Sequence, residues 1–204
     1  MNIANFLSVS LFLISLFISL RAFYLYFRSR SRRLFILGLS MAVIAFTAAA
    51  GFVGDNILTT INVDWFNYIG QTVSFLFILL SFVRSSDEYL RKLIPWHIIC
   101  SVLLLILLAL APVLPDFPFS AVTRSLLSGS RGLMCFIIFY YYVFAFMSKA
   151  TRFSLLMAGA FLLLSAGYFI IIPKYVTPND VLDRGGDIFR VCGSITLFLA
   201  ILLG

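Results

Sequence analysis

The sequence predicts an all-α integral membrane protein, a seven-transmembrane-helix bundle with its N-terminus outside and its C-terminus in the cytoplasm. Three observations predict it. Of the 204 residues 62% are hydrophobic and only 11% charged, where a soluble domain carries about a quarter charged. Apolar runs of about 20 residues, enough to cross ~30 Å of hydrocarbon, recur between short polar breaks along the whole chain. The basic residues gather on alternate breaks, which is the signature of a cytoplasmic side.

The first span runs from about Ala4 to Tyr26. No basic segment precedes it and its arginines follow it, the reverse of a cleavable leader, so it is expected to be retained. The second, Leu34 to Val53, carries Gly38, Ala42, Ala45, Ala49 and the small run 48–51, residues that let helices approach closely. The third is Trp65 to Val83 and the fourth Leu93 to Ala111. The fifth, Ser120 to Met147, has Tyr140, Tyr141 and Tyr142 with Phe136, Phe139, Phe144 and Phe146 on all sides, a distribution that suits lipid contact and core. The sixth is Phe153 to Ile172. The seventh, Val181 to Leu203, begins with Gly185 and Gly186, which there read as a flexible segment or a turn.

The six prolines, Pro95, Pro112, Pro115, Pro118, Pro173 and Pro178, all read as lying at or near helix ends. No span is then interrupted at mid-membrane, as the substrate-binding helices of secondary transporters are. The whole reads as one domain, 1–204. Its last residues, Ile201 to Gly204, lack a polar exit from the membrane, so the natural chain is expected to continue into the cytoplasm.

On one side lie Arg28, Arg30, Arg32, Arg33, Arg84, Arg91, Lys92, Lys149 and Arg152. The opposite breaks hold Asp55, Asp64, Asp116 and Asp180, with Lys174 as their one clear cation. The net charge of +7 expresses this bias and does not indicate nucleic-acid binding. A bacterial inner membrane is the expected location.

Composition removes several functions. One histidine, His97, cannot build a multi-histidine zinc site or a bis-histidine haem site. The cysteines, Cys100, Cys135 and Cys192, sit in apolar runs without CxxC spacing and read as buried core residues. The lysines, Lys92, Lys149 and Lys174, all fall at helix ends, which removes a retinal Schiff base. No glycine-rich phosphate loop appears, and the single glutamate, Glu88, reads as a loop residue. No cofactor and no metal site is expected.

Charged groups that enter spans are the default pointer to a site, because each is costly in lipid unless paired or hydrated. Asp183 and Asp187 stand four apart on the seventh helix with Arg190 three further on, and Arg124 and Arg131 stand seven apart on the fifth. Asp55, Asn67 and Gln71 occupy the outer ends of the second and third helices. Arg124, Arg131, Asp183, Asp187, Arg190, Asn67, Gln71 and Asp55 are therefore the expected ligand-binding residues of an outward-open polar vestibule. Its arginines would grip a carboxylate or phosphate. The competing reading is a salt-bridge network, Asp187 to Arg190 and Asp183 to Arg131, fastening the fifth and seventh helices. Arg21 reads as snorkelling to headgroups and His97, beside Trp96, as an interfacial anchor.

In architecture the chain resembles the membrane sensory modules that precede cytoplasmic signalling domains in bacteria. The expected function is a receptor-like module that binds an anionic or amphiphilic small ligand in the outer half and signals through its last helix. Its expected partners are membrane lipids, that ligand, and a cytoplasmic signalling domain or a second copy. A small transporter with a three-one-three arrangement is the alternative, although the side chains of its two halves do not visibly align. A lipid-modifying enzyme using Asp183 and Asp187 is third.

The charge asymmetry predicts that 55–64 and 174–180 are extracytoplasmic. In a cysteine-free background, Thr59→Cys and Thr177→Cys should react with a membrane-impermeant maleimide on intact cells. Reaction only after the membrane is opened would reverse the orientation.

Overall fold

The computed structural model describes residues 3–57, 63–83, 86–114, 120–177 and 180–203, apart from the side chains at 3, 4, 55 and 180. Arg84, Pro115, Asp116, Pro118 and Pro178, and the side chains of Asp55 and Asp180, thus lie outside the described residues. Seven α-helices are present among them: α1 (Ile3–Ser29), α2 (Arg32–Asn56), α3 (Asp64–Val83), α4 (Asp87–Ala109), α5 (Ala121–Lys149), α6 (Arg152–Ile171) and α7 (Asp180–Leu203). A 3-10 turn, Ile172–Tyr175, follows α6. All seven are long and apolar enough to cross a membrane, making this a multi-pass integral membrane protein.

The helices begin and end further out than the apolar runs, and α4 differs most. Ser86 caps it by accepting the Tyr89 N–H, and Asp87 and Glu88 fill its first turn, where carboxylates complement the helix dipole. Glu88 is accordingly a helical residue paired with Lys92 at 2.9 Å, not a loop residue. Pro95 in turn becomes interior to the helix instead of terminal. His97 is buried at 1% exposure while Trp96 is 65% exposed, because consecutive helical residues point about 100° apart. Trp96 faces outward and His97 is a core residue, which corrects its reading as an interfacial anchor. Cys135 is buried as expected, whereas Cys100 is half-buried and Cys192 is exposed.

The chain divides into two compact units, Met1–Pro118 and Phe119–Gly204. In the first, α2 is central and packs on α1, α3 and α4. In the second, α6 lies between α5 and α7.

The two units share a construction that side-chain identity conceals. Among the described residues Arg30 and Ala150 are the non-glycine ones with positive φ, 56° and 47°, and each closes its helix by donating its N–H to a carbonyl four residues back. Ser31 and Thr151 follow as N-cap residues of α2 and α6, and Arg32 and Arg152 as their first helical residues. Each member of the second set stands 120 residues after its counterpart. At the same offset, buried Ser15, Ile18 and Ala22 of α1 match buried Cys135, Ile138 and Tyr142 of α5. Likewise Leu37, Met41 and Ile44 match Met157, Phe161 and Leu164. Asp64 and Asp180 open α3 and α7, 116 residues apart.

Close approach at small residues fixes the third helix of each unit. A Cβ on Gly70 would lie 2.8 Å from Thr47 Cγ2, and one on Gly186 would lie 2.8 Å from Gly167 O. Gly70 and Gly186 are again 116 apart, and Thr47 and Gly167 again 120. A turn and more along α7, a Cβ on Gly193 would meet Leu164 N at 2.9 Å and Ala160 O at 3.0 Å. Gly186 is therefore a packing residue within a regular helix, not a flexible or turn residue. Gly185 has only Ile170 Cγ2, at 3.9 Å.

Gly193→Ala should destabilise the protein by about 1–3 kcal/mol, since backbone atoms cannot yield to the added methyl. Gly185→Ala, in ordinary contact, should be neutral or stabilising by up to about 1 kcal/mol. Thermal unfolding in one detergent reads both, and equal effects would contradict the α6/α7 seam.

Candidate functional site

Arg131 of α5 and Arg190 of α7 each lie ten positions into their helices, counted from Ala121 and Asp180. At 1.5 Å per residue that is about 15 Å of helix in both cases. Tyr168, in the last turn of α6, lies between them. The Arg131 guanidinium carbon is 4.8 Å from the Tyr168 ring centroid, and that of Arg190 is 5.4 Å from it. Tyr168 and Arg131 are 4% and 3% exposed, so both cation–π contacts are shielded from water and correspondingly strong.

Local structure holds these groups in place. Arg131 donates from Nε to the Leu127 carbonyl at 3.0 Å, one turn back on its own helix. The Ser128 hydroxyl donates to the Tyr168 carbonyl at 3.0 Å, and the Ser165 hydroxyl to the Gly132 carbonyl at 2.9 Å. These two bonds tie α5 to α6. On the other side, the absent side chain at Gly167 leaves room for the Arg190 stem, since a Cβ there would sit 2.7 Å from Arg190 Cγ. Arg190 pairs with Asp187 one turn earlier, and both side chains are less than one-fifth exposed. Arg190 Nε is buried and has no hydrogen-bond partner among the described residues.

The sequence reading named Asp183 as a partner of Arg131. The structure pairs Asp183 with Lys174 of the 3-10 turn, at 2.5 Å. The reason is topological: α6 separates α5 from α7, so the start of α7 meets the turn that leads out of α6. The fifth and seventh helices are thus fastened through Tyr168 and not to each other. Tyr168 and Lys174 are the residues that spacing along α5 and α7 did not reveal. Arg124 is half-buried on α5, two turns before Arg131.

Asn67, Gln71 and Asp55 belong to the first unit. Asn67 faces Gly51 of α2, where an added Cβ would come within 3.2 Å of its amide nitrogen. Gln71 donates to the Thr47 hydroxyl at 3.4 Å. These two residues occupy on α3 the positions that Asp183 and Asp187 occupy on α7, each 116 residues earlier. The first unit therefore carries neutral amides where the second carries carboxylates. A cavity of about 320 Å³ in the first unit, lined by Phe46, Ala49, Val53 and Leu108 among others, offers no polar side chain that could hold an anion.

Among the described residues no group of three or more metal-ligating side chains occurs. No protein-family model, no curated protein and no solved structure matches the chain.

Tyr168→Leu, which removes the ring from between two guanidiniums, should cost about 2–4 kcal/mol. Tyr168→Phe, losing only the hydroxyl, should cost about 1 kcal/mol. Tyr140→Leu, at a site 55% exposed on α5, should be nearly silent. Denaturant or thermal unfolding of the three variants in micelles gives the order; a silent Tyr168→Leu would remove the cluster's structural role.

Proposed function

We propose that the chain is a membrane sensory module whose second unit binds an anionic or amphiphilic small molecule at the cluster of Arg131, Tyr168, Asp187 and Arg190. Arg124 and Asp183 lie beside it in the same unit. The proposed orientation puts the N-terminus outside and the C-terminus in the cytoplasm of a bacterial inner membrane, where α7 addresses a signalling domain or a second copy. The basic ends at 28–33, 91–92 and 149–152 support that orientation.

The observation that carries the reading is the meeting of two guanidiniums, at equal depth and from helices on either side of α6, on one buried tyrosine, with the Arg190 Nε donor lacking an acceptor. A carboxylate or phosphate oxygen satisfies that donor and competes with Asp187 for the same guanidinium. Asp187 lies one position from Gly186, so releasing it from Arg190 changes the contacts of α7 at its closest approach to α6. The ligand thereby favours one arrangement of α7 over another, and the helix passes that bias to its far end.

A small transporter is the second reading, favoured by the repeated three-helix construction of α1–α3 and α5–α7, the form of a parallel repeat. The confinement of the buried Arg131–Tyr168–Arg190–Asp187 cluster to one unit favours the sensor, since a carrier pathway draws on both halves.

Charge-assisted hydrogen bonds are worth roughly 1.5–3 kcal/mol, so Arg131→Ala and Arg190→Ala should each weaken binding of decanoate or decyl phosphate by about tenfold or more. Calorimetry in nanodiscs measures this, with decyltrimethylammonium as the cationic control. Unchanged affinity with collapsed thermal stability would make the cluster a helix fastener. Uptake of the same anions into proteoliposomes would decide for the carrier.

A further inference from the structure

The only histidine of the chain sits on α4, the helix left over when the two three-helix repeats are set aside. His97 is 1% exposed. Its ring lies flat on Phe77 of α3, with 4.1 Å between centroids and 10° between planes. Its Nε2 is 3.4 Å from the Ser40 hydroxyl of α2, which is itself fully buried. Its Nδ1 is buried and has no hydrogen-bond partner among the described residues. One imidazole thus touches both neighbours of α4, with one nitrogen used and one idle.

The backbone of α4 is weakest at the same place. Pro95, two residues earlier, has no N–H to give the Arg91 carbonyl, and its ring crowds that turn. The Ser101 hydroxyl donates to the His97 carbonyl at 2.8 Å, a contact that favours bending. The surroundings are apolar: Phe77 belongs to a buried cluster with Ile36, Leu90 and Leu93.

The charged groups of the helices around His97 are engaged or remote. At the near end Arg32 of α2 pairs with Asp87 of α4, Glu88 pairs with Lys92, and Arg33 lies over the Phe82 ring. Arg91 is exposed, and Asp64 of α3 is in the first turn at that helix's opposite end. The remaining titratable groups of these helices are Asp55, in the last turn of α2 at the end away from Arg32, and the neutral Tyr89 and Cys100 on α4 and Tyr68 on α3. Among the described residues no carboxylate of α2, α3 or α4 faces the imidazole.

We propose that His97 is a proton-binding site through which pH controls the docking of α4 on α2 and α3. This concerns the first unit and does not rest on the function proposed above. The neutral ring stacks on Phe77 and shares one hydrogen bond with Ser40. Protonation turns both nitrogens into donors, leaves the Nδ1 proton without an acceptor, and places a cation in an apolar cluster. Hydration of the ring relieves all three, and the turn weakened by Pro95 lets α4 supply it by swinging His97 away. The docked form therefore prevails where the imidazole is neutral and gives way as pH falls, while the released form prevails where it is charged.

Because the chain has one histidine, 15N-labelled histidine in nanodiscs reports its protonation directly. Trp65→Phe leaves Trp96, the residue beside His97, as the only emitter. Between about pH 7.5 and pH 4.5 the imidazole should titrate together with a shift in Trp96 emission. The thermal midpoint should fall by about 3–5 °C per pH unit across that titration. His97→Gln, which keeps a hydrogen bond to Ser40 without titrating, and His97→Phe should both abolish the acid response. An imidazole that stays neutral to pH 4.5, one that titrates with emission and midpoint unmoved, or variants that keep the acid response would each overturn the proposal. If neither variant folds, the 15N titration read against Trp96 emission decides alone.

Discussion

Within a bilayer, lipid tails are as apolar as leucine, so burying apolar surface does not pull one helix onto another; close backbone approach at small residues has to do so. Everything else in this chain depends on that constraint. Gly186 against Gly167, and Gly193 against Ala160 and Leu164, press α7 onto α6 until no Cβ fits between them. Only at that separation does the stem of Arg190 pass over Gly167 and bring its guanidinium to Tyr168. The charged cluster is a consequence of the glycine seam. In the first unit Gly70 against Thr47 sets the α2/α3 distance in the same way, and Gln71, one residue on, reaches the Thr47 hydroxyl.

The spans were legible because hydropathy over about 20 residues is a collective property that no single neighbour alters. The ends were less so. The start of α4 depends on the Ser86 cap and two carboxylates, polar residues that hydropathy alone assigns to a loop, and the misplacement carried Pro95 and His97 with it. The duplication stayed hidden for a different reason. What the halves share is burial and backbone conformation, with Ser15 and Cys135 or Ala22 and Tyr142 filling equivalent places with unlike side chains. Even the left-handed residue is arginine in one turn and alanine in the other, where glycine would have announced it. Of the candidate site, spacing along one helix found Asp187 with Arg190. It missed Tyr168, because which residue of a third helix stands between two others is fixed only by tertiary contact.

The repeat also gives the chemical asymmetry its meaning. Asn67 and Gln71 on α3 and Asp183 and Asp187 on α7 occupy the same register on equivalent helices, so the scaffold accepts either an amide or a carboxylate there. What differs is the company. Lys174 and Arg190 accompany the carboxylates, whereas the amides meet Gly51 and the Thr47 hydroxyl. A charge at that depth needs a counter-charge and a neutral amide does not, so carboxylates and cations had to enter the second unit together. Tyr168 then completes what Asp187 alone leaves incomplete, offering two guanidiniums a ring face that stabilises positive charge without neutralising it.

That last property bears on whether the cluster is a fastener or the proposed site. A buried ion pair satisfied on every atom resists a third party, since an incoming anion would gain nothing that the carboxylate did not already supply. Here the cluster holds two guanidiniums on one aromatic face, and Arg190 keeps a buried Nε donor unused while Asp187 takes another of its nitrogens. A buried donor without an acceptor is a standing penalty that any anion reaching it removes. On Arg190 an external oxygen would both replace the Asp187 contact and fill the idle donor, while the released Asp187 carboxylate has to gain water or another partner. In the proposed function a ligand would act by exchanging with Asp187 on Arg190, and the helix it would bias is α7, held to α6 at the glycine immediately before Asp187.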